Sequence, residues 1–184
     1  MLENNLYVAL IHYPVMNKNG QPIGSALTTI DLHDIARASI TFGIKGFYVV
    51  TPFKDQATLA TQVIDHWTKG VGGKLNPDRK KALELIRVTE TFEDAVNEMK
   101  KERNEPVVTI ATSAKKSIGS ITTKALRLKL ESKASHVLVF GTAWGLAEKL
   151  IDTCDFILDP ILGGTDYNHL SVRSAASIYL DRII

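Results

Sequence analysis

The sequence predicts an α/β fold with a mostly parallel sheet and helices on both faces. Short runs rich in β-branched and aromatic residues alternate six times with stretches of helical periodicity. The run SHVLVFG at 135–141 is nearly all apolar, as expected of a strand buried on both faces. With 184 residues, 45% of them apolar, the chain can bury a sizeable core. No linker or repeat interrupts the alternation, so residues 1–184 are expected to form one domain.

The first half of the chain contains two predicted strands and three predicted helices. The strands are at 6–13 and 46–52, and the helices are at 28–43, 55–70 and 76–86. Asp55 is the predicted N-cap of the second helix, and Asn76 before Pro77 is typical of a helix start. The polar stretch MNKNGQPIGS at 16–25 is either a mobile lid near a ligand site or a simple loop.

The second half continues the same alternation to the last residue. Its predicted strands are at 86–90, 106–113, 135–141 and 154–160, and its helices are at 91–104, 122–132, 146–153 and 169–183. Thr91 and Asp94 resemble a capping box at the start of the first of these helices.

Composition limits the classes of function that need to be considered. The net charge of +2 is too small for a general polyanion-binding field, so any nucleic-acid site requires a local patch. The one cysteine, Cys154, excludes an internal disulfide, which fits a cytoplasmic location. No run of about 18 apolar residues indicates a membrane span, and the N-terminal residues do not resemble a signal peptide. The spacing of the histidines predicts no metal site.

Three loops that follow predicted strands are the places to look for a ligand site. In open parallel sheets, ligands bind beyond the carboxyl ends of the strands. The loops are at 112–116, 141–145 and 160–169, and glycine pairs in the last two let a backbone approach a ligand closely. The G-x-x-x-G spacing at 141–145 matches neither the dinucleotide fingerprint nor the P-loop. Taken alone, that loop is either a ligand loop or a tight strand-to-helix turn.

Three segments, in this order, resemble the SPOUT class of RNA methyltransferases. The first is IDLHDIARASITFGIKGFYVVTP at 30–52, which looks like motif 1 of the TrmH-like members. Arg37 matches the arginine of that motif, whereas Asp31 replaces its asparagine and His33 replaces its glycine. The second is HVLVFGTAWGLAEKL at 136–150, which is similar to motif 2 with a shorter loop that lacks the usual glutamate.

The third segment is LDPILGGTDYNHLSVRSAASIYLDRII at 158–184. Pro160–Gly163 is similar to the Ile-Pro-Met-x-Gly element of the class, and 170–178 aligns with motif 3, with Ser171 in place of an asparagine. The stretch CDFILDPILGG also resembles the cofactor loop of tRNA guanine-N1 methyltransferases. Over nearly its full length, the chain looks like a small SPOUT family that is sometimes fused to such an enzyme, with GTxWGL and DYNHLSVRSA as hallmarks.

The resemblance implies a C-terminal deep trefoil knot in which S-adenosylmethionine is bound in a bent conformation. It also implies a homodimer, with each site completed by the second subunit, and tRNA or rRNA as the substrate. The cofactor would be held mainly by backbone groups of three loops. Carried onto this sequence, the cofactor residues are Thr112, Ser113, Ala114, Gly141, Thr142, Trp144, Gly145, Ile161, Leu162, Gly163, Gly164, Asn168, Leu170, Ser171 and Val172.

Three residues are candidates for catalysis, each with an ordinary structural alternative. By the resemblance, Arg37 would act at a ribose 2′-hydroxyl with a nearby phosphate, or it pairs with Asp31 or Asp34 on its own helix. By the resemblance, Asp166 would be a general base, as an aspartate is in the guanine-N1 enzymes, or it is an Asx-type loop residue or a nearby N-cap. His169 either forms a hydrogen bond to the cofactor or RNA, or it has a structural role as a helix cap or a packing residue.

Asn168 reads equally well as a cofactor residue or as the N-cap of the last helix. Four basic residues are candidates for RNA contact, namely Lys115, Lys116, Lys124 and Arg127. They form either a phosphate-contacting face or a solvated helix face.

The sequence therefore predicts an S-adenosylmethionine-dependent RNA methyltransferase. The main alternative is a non-catalytic knot module that binds cofactor or RNA as an accessory domain or partner. A third class is an ordinary doubly wound enzyme for another nucleotide, which a chain trace without a knot would favour.

Overall fold

The computed structural model describes residues 5–184. The strands are β1 (Leu6–Ile11), β2 (Val15–Met16), β3 (Pro22–Ile23), β4 (Gly46–Val50), β5 (Ile86–Thr89), β6 (Val107–Thr112), β7 (Ser135–Gly141) and β8 (Phe156–Leu158). The helices are α1 (Thr29–Thr41), α2 (Lys54–Thr68), α3 (Val71–Leu75), α4 (Pro77–Leu83), α5 (Phe92–Arg103), α6 (Thr123–Leu130), α7 (Glu148–Ile151) and α8 (Val172–Ile183).

Six strands form one parallel sheet in the order β5-β4-β1-β7-β6-β8, and β2 and β3 form a separate antiparallel hairpin. All six residues of β1, at the centre of the sheet, are buried. The predicted α/β class with a mostly parallel sheet is therefore confirmed. Burial of both faces explains why the central strands are runs of apolar residues rather than alternating ones.

Helices cover both faces of the sheet. On one face, the core includes Leu32 and Ile35 of α1, Leu126 of α6 and Leu180 of α8. On the other face, α5 contributes Ala95 and Met99, and partly buried residues of α7 pack beside them. Because helices cover both faces of the sheet, the ends of its strands remain available for a ligand site.

Local capping predictions were partly right. Thr91 and Asp94 form the capping box at the start of α5, and Asn76 caps α4 through its bond to Arg79 N at 2.9 Å. The prediction for Asp55 was wrong, because the extended residue Phe53 is the N-cap of α2 and Asp55 lies in the first helical turn. A carboxylate there still favours the helix, because it faces the positive end of the helix dipole.

The last helix starts later than predicted. Helix α8 begins at Val172 rather than at 169, and Ser171 accepts a hydrogen bond from Ser174 N at 3.4 Å as its N-cap. Asn168 is therefore not the cap, because its amide is used by another loop. The extra residues extend the loop after β8 and free His169 and Leu170 from the helix.

Tyr179 of α8 ties this helix to the loop after β8. Its hydroxyl donates to Asp159 O at 2.8 Å, and the side chain is only 3% exposed. Burial raises the pKa of Tyr179 to about 12 from its usual 10. Because the folded state holds this proton more tightly, the contribution is complete below pH 10 and is lost as the pH rises towards 12.

We therefore expect Tyr179→Phe to lower the free energy of unfolding by about 1 kcal/mol at pH 7, since the half-buried carbonyl of Asp159 loses its donor. Urea unfolding at pH 7 and at a series of values above pH 10 checks this. The substituted protein should lose less stability at high pH than the wild type does. Equal losses of stability at high pH in both proteins would contradict the attribution of this loss to ionisation of Tyr179.

Two absences apply to residues 5–184 only. No helix in this range is both long and apolar enough to cross a membrane. Within the same range, no group of three or more His, Cys, Asp or Glu side chains is arranged to hold a metal ion.

Candidate functional site

The three loops predicted to bind a ligand follow three neighbouring strands. They leave the carboxyl ends of β6, β7 and β8, which lie in the sheet order β7-β6-β8. We name them the first loop (113–121), the second loop (141–147) and the third loop (159–171). Parallel pairing places all three at one edge of the sheet, as the sequence predicted.

The first loop passes from one side of β8 to the other. It leaves β6, which pairs with one side of β8, and Ile121 pairs with the opposite side. Ile121 N donates to Ile157 O and Asp159 N donates to Ile121 O, both at 2.8 Å. Ser120 Oγ adds a bond to Asp159 Oδ1 at 2.5 Å. Strand β8 therefore lies between two segments that are joined by the first loop.

The third loop contacts each of the other two loops. The side-chain amide of Asn168 donates to Ala114 O of the first loop at 2.7 Å. The ring of His169 lies edge-on to Trp144 of the second loop at 6.5 Å and to Tyr167 at 5.4 Å. Of the 15 residues predicted to hold a cofactor, 13 thus come from loops that touch one another, and Thr112 and Val172 are the adjoining residues at the end of β6 and the start of α8.

Apolar side chains in the second and third loops are exposed rather than buried. Trp144 is 63% exposed, Leu162 is 67% and Leu170 is 47%, although Ile161 beside them is buried. Exposed apolar groups beside polar loop backbone are common in ligand sites. Such groups suit an adenosine, which needs apolar walls for its base and backbone groups for its polar edges.

Glycine conformation shapes the second and third loops. A Cβ on Gly141 would lie 2.4 Å from Leu146 N, so the backbone of the second loop closes directly on this residue. Gly145 and Gly164 have φ of +102° and +78°, with open space where a Cβ would be. Both positions are strained for other residues and leave the backbone accessible. The loops therefore fit a ligand held mainly through main-chain groups.

A buried histidine outside the predicted set supports the second loop. His12 follows β1 and is fully buried, and its Nδ1 shares a hydrogen bond with Ser25 Oγ at 3.1 Å. Ser25 in turn bonds to Thr142 Oγ1, which donates to Ile11 O at 3.0 Å. Burial lowers the pKa of His12, so the ring is neutral at neutral pH. Sequence spacing gave no signal for this network beyond placing His12 near the end of the first predicted strand, at 6–13.

The stretch 16–25 contains the hairpin β2-β3 and contacts the second loop. Met16 N donates to Gly145 O at 2.9 Å, and Trp144 N donates to Met16 O at 3.1 Å. Ala147 N also donates to Pro14 O at 3.2 Å. Hairpin β2-β3 is therefore joined to the second loop by backbone bonds, so the stretch is more than a simple loop.

Arg37 lies in a groove between α1 and α8, and no described residue of the three loops lines this groove. The groove has a volume of about 590 Å³ and also contains Arg173 and Ser174, which lie in the first turn of α8. The carboxylates of Asp31 and Asp34 pair with Arg173, at 3.2 and 3.5 Å, so the predicted alternative partners of Arg37 bind another arginine.

Asp166 and the four basic residues predicted to contact RNA are solvent-exposed. Asp166 lies in the third loop beside Tyr167. Lys115 and Lys116 are in the first loop, and Lys124 and Arg127 are on α6.

The Asn168 bond between the first and third loops gives a direct test of the site. Asn168→Asp keeps the shape but replaces the donor with an acceptor that faces Ala114 O. We expect S-adenosylmethionine affinity to fall by roughly tenfold, since repulsion opens the two loops. Calorimetry measures the affinity. As the control, Asn104→Asp alters an exposed asparagine after α5 and should leave the affinity unchanged. Equal affinities for S-adenosylmethionine in all three proteins would contradict a role of the Asn168–Ala114 bond in cofactor binding.

Comparison with known protein families gives a match to nearly the whole chain. The family described as SAM-dependent RNA methyltransferase matches residues 5–184. A tRNA (guanine-N(1)-)-methyltransferase of Oleidesulfovibrio alaskensis is 44% identical over 180 residues, which cover 98% of this chain and 42% of that protein. The chain thus spans less than half the length of this curated relative. An uncharacterized protein of Aquifex aeolicus is 36% identical over 184 residues, covering all of this chain and 90% of that protein.

Solved structures with the same fold include a methyltransferase with a bound cofactor. The SpoU methyltransferase AviRb from Streptomyces viridochromogenes, in complex with the cofactor AdoMet, aligns with a TM-score of 0.58 and 15% identity. The alignment covers all of this chain and 60% of that one. At this identity, the likeness establishes a common fold.

Proposed function

Since the chain belongs to the family of SAM-dependent RNA methyltransferases, we propose that it transfers a methyl group from S-adenosylmethionine to a nucleotide of tRNA. The observation that carries the proposal is the meeting of the three loops at one edge of the sheet, through Asn168–Ala114 and Trp144–His169. The guanine-N1 position is the finer proposal, and it is supported by the name of the O. alaskensis relative.

The cofactor is proposed to lie among the three loops. When bound, it supplies a methyl group already activated on a sulfonium. Gly141 and Gly145 would bring the main chain against the adenosine, and Leu162 and Leu170 would enclose its base. Enclosure by fixed loops supplies the alignment that an in-line displacement needs.

Catalytic roles are proposed for three exposed or groove-lining residues. Arg37, with its permanent positive charge, would bind an acceptor phosphate or ribose in the α1–α8 groove. Asp166 would remove a proton from the acceptor as a general base, because it is exposed in the third loop. His169, between Trp144 and Tyr167, would orient cofactor or RNA.

We propose that the C-terminal segment forms the deep trefoil knot. Its support is the path of the first loop around β8, followed by the return of α8 onto α1 and α6. If the chain passes under that loop after β8 before α8 packs on α1 and α6, it is threaded through the loop. Such threading is rare in proteins and is a costly arrangement to keep without a function.

A homodimer is proposed through the α1–α8 face. The groove there holds Arg37 and is lined by partly exposed apolar groups such as Ile178. Pairing two such faces would bring Arg37 of each subunit towards the other subunit's loops. The basic residues Lys115, Lys116, Lys124 and Arg127 would then contact phosphates around the site.

Methyl transfer from labelled S-adenosylmethionine to total tRNA tests the proposal. The wild type should label the RNA, and Arg37→Ala and Asp166→Asn should each lose transfer while keeping cofactor affinity. Asp152→Asn, an exposed substitution after α7, is the matched control and should retain full transfer. Cofactor binding without transfer to any RNA would support the non-catalytic module instead.

A further inference from the structure

Two exposed aromatic rings extend the candidate site beyond the three loops. Tyr13 follows β1 and Phe53 follows β4, at the same edge of the sheet as the loops. Their centroids are 5.9 Å apart with planes at 76°, and the residues are 44% and 39% exposed. In the sheet order, β1 and β4 lie beside β7 on the side opposite β6 and β8. The pair therefore borders the second loop on its free side.

Hydrogen bonds join this pair to the second loop on both sides of Tyr13. The preceding residue, His12, reaches Thr142 through Ser25. The following residue, Pro14, accepts a bond from Ala147 N at 3.2 Å. The position of the Tyr13 backbone is thus fixed relative to the loop proposed to hold the methyl donor.

Phe53 is also held in position rather than merely exposed. A Cβ on Gly24 would lie 2.2 Å from Cε2 of Phe53, so the ring packs directly on the backbone of the segment after β3. Gln56 of the following helix accepts a bond from Leu27 N at 2.7 Å and fixes the same two segments together. An exposed ring held in this way loses little conformational freedom when a ligand covers it.

We infer that Tyr13 and Phe53 form a stacking site for an unpaired nucleobase of the RNA substrate, beside the methyl-donor loops. The inference rests on the proposed function. Proteins recognise single-stranded RNA by stacking splayed bases on aromatic side chains, and a base within a duplex cannot stack in this way. Lys54 directly follows Phe53 and is exposed, which places a cation where the phosphate of such a nucleotide could be bound.

Binding of a labelled single-stranded RNA and of tRNA, measured by fluorescence anisotropy, tests the site. Tyr13→Ala and Phe53→Ala should each weaken RNA binding by roughly tenfold, whereas Tyr13→Phe and Phe53→Tyr should bind as the wild type does. Gly24→Ala should resemble Phe53→Ala, because the added methyl displaces the ring. Val71→Ala, which alters a 64% exposed apolar residue on α3, is the control and should have no effect.

The salt dependence of RNA affinity distinguishes the contribution of base stacking from that of phosphate contacts. Tyr13→Ala should leave the slope of log affinity against log salt concentration unchanged. Lys54→Ala should reduce the magnitude of this slope by about the amount expected for the loss of one phosphate contact. A duplex RNA of the same sequence should bind equally to wild type and Tyr13→Ala. An RNA containing 4-thiouridine should photocrosslink to Tyr13 or Phe53.

The inference fails if the alanine substitutions leave RNA affinity unchanged while wild-type methyl transfer is intact. It also fails if they instead alter self-association or the binding of an apolar peptide, which would make the pair a protein contact. If the wild type neither binds S-adenosylmethionine nor methylates RNA, then the proposed function fails, and the RNA-binding comparison still reports on the stacking site separately.

Discussion

A chain that ends at Thr165 is expected to remain unfolded and to bind no S-adenosylmethionine. The cut removes α8, in which Tyr179, Leu180 and Ile183 are at most 3% exposed. Fully burying each such side chain contributes about 1.5–3 kcal/mol, so the loss is comparable with the whole stability of a domain, about 5–15 kcal/mol. The cut also removes two hydrogen bonds. Asn168 donates one of them to the first loop, and Tyr179 donates the other to the third loop.

Far-ultraviolet circular dichroism with thermal unfolding measures this result. Removal of Ile184 alone is the control, because that residue is 47% exposed and lies outside α8, and this shorter chain should melt like the wild type. A cooperative transition and native ellipticity in the chain that ends at Thr165 would show that α8 is dispensable, and the proposed threading would then be wrong.

Gly141→Ala is expected to have the largest effect of any single substitution on cofactor binding. The new methyl group would lie 2.4 Å from Leu146 N and 2.7 Å from Gly145 C, and neither backbone atom can move aside as a flexible side chain could. The second loop must open, which should cost about 1–3 kcal/mol of stability and weaken S-adenosylmethionine binding by more than about tenfold.

Urea unfolding and calorimetry on the same protein measure the two effects. Gly163→Ala is the matched comparison, because a Cβ at that position meets no atom within 4 Å and its φ is not in the left-handed region. Its stability should equal that of the wild type. Wild-type stability and cofactor affinity in Gly141→Ala would contradict the geometry of the second loop.

Periodicity and composition were sufficient to predict the class of fold, because the six strands of the main sheet and most of the helices have a local signal in the sequence. The apolar run at 135–141 became β7, and the family resemblance is confirmed by the match over residues 5–184. Hairpin β2-β3 was missed, because its strands have two residues each and pair with the second loop through contacts distant in sequence. The extra helix α3 was missed because VGGKL has poor helix propensity.

The three loops of the site could be predicted because each directly follows a strand. His12 and Tyr13 could not be assigned to the site, because only the sheet order places β1 next to β7. Two replacements at motif positions also have visible structural roles. Asp31 binds Arg173 across the α1–α8 contact, and Ser171 caps α8. Neither role was predictable, since both depend on where α8 begins and on what it packs against.

Calorimetric titration of the wild-type chain with S-adenosylmethionine tests the central claim most directly. The three contacting loops predict saturable binding of one cofactor per chain, with a dissociation constant below about 1 mM. No measurable heat of binding up to millimolar cofactor, from a protein shown to be folded, would contradict the proposed site.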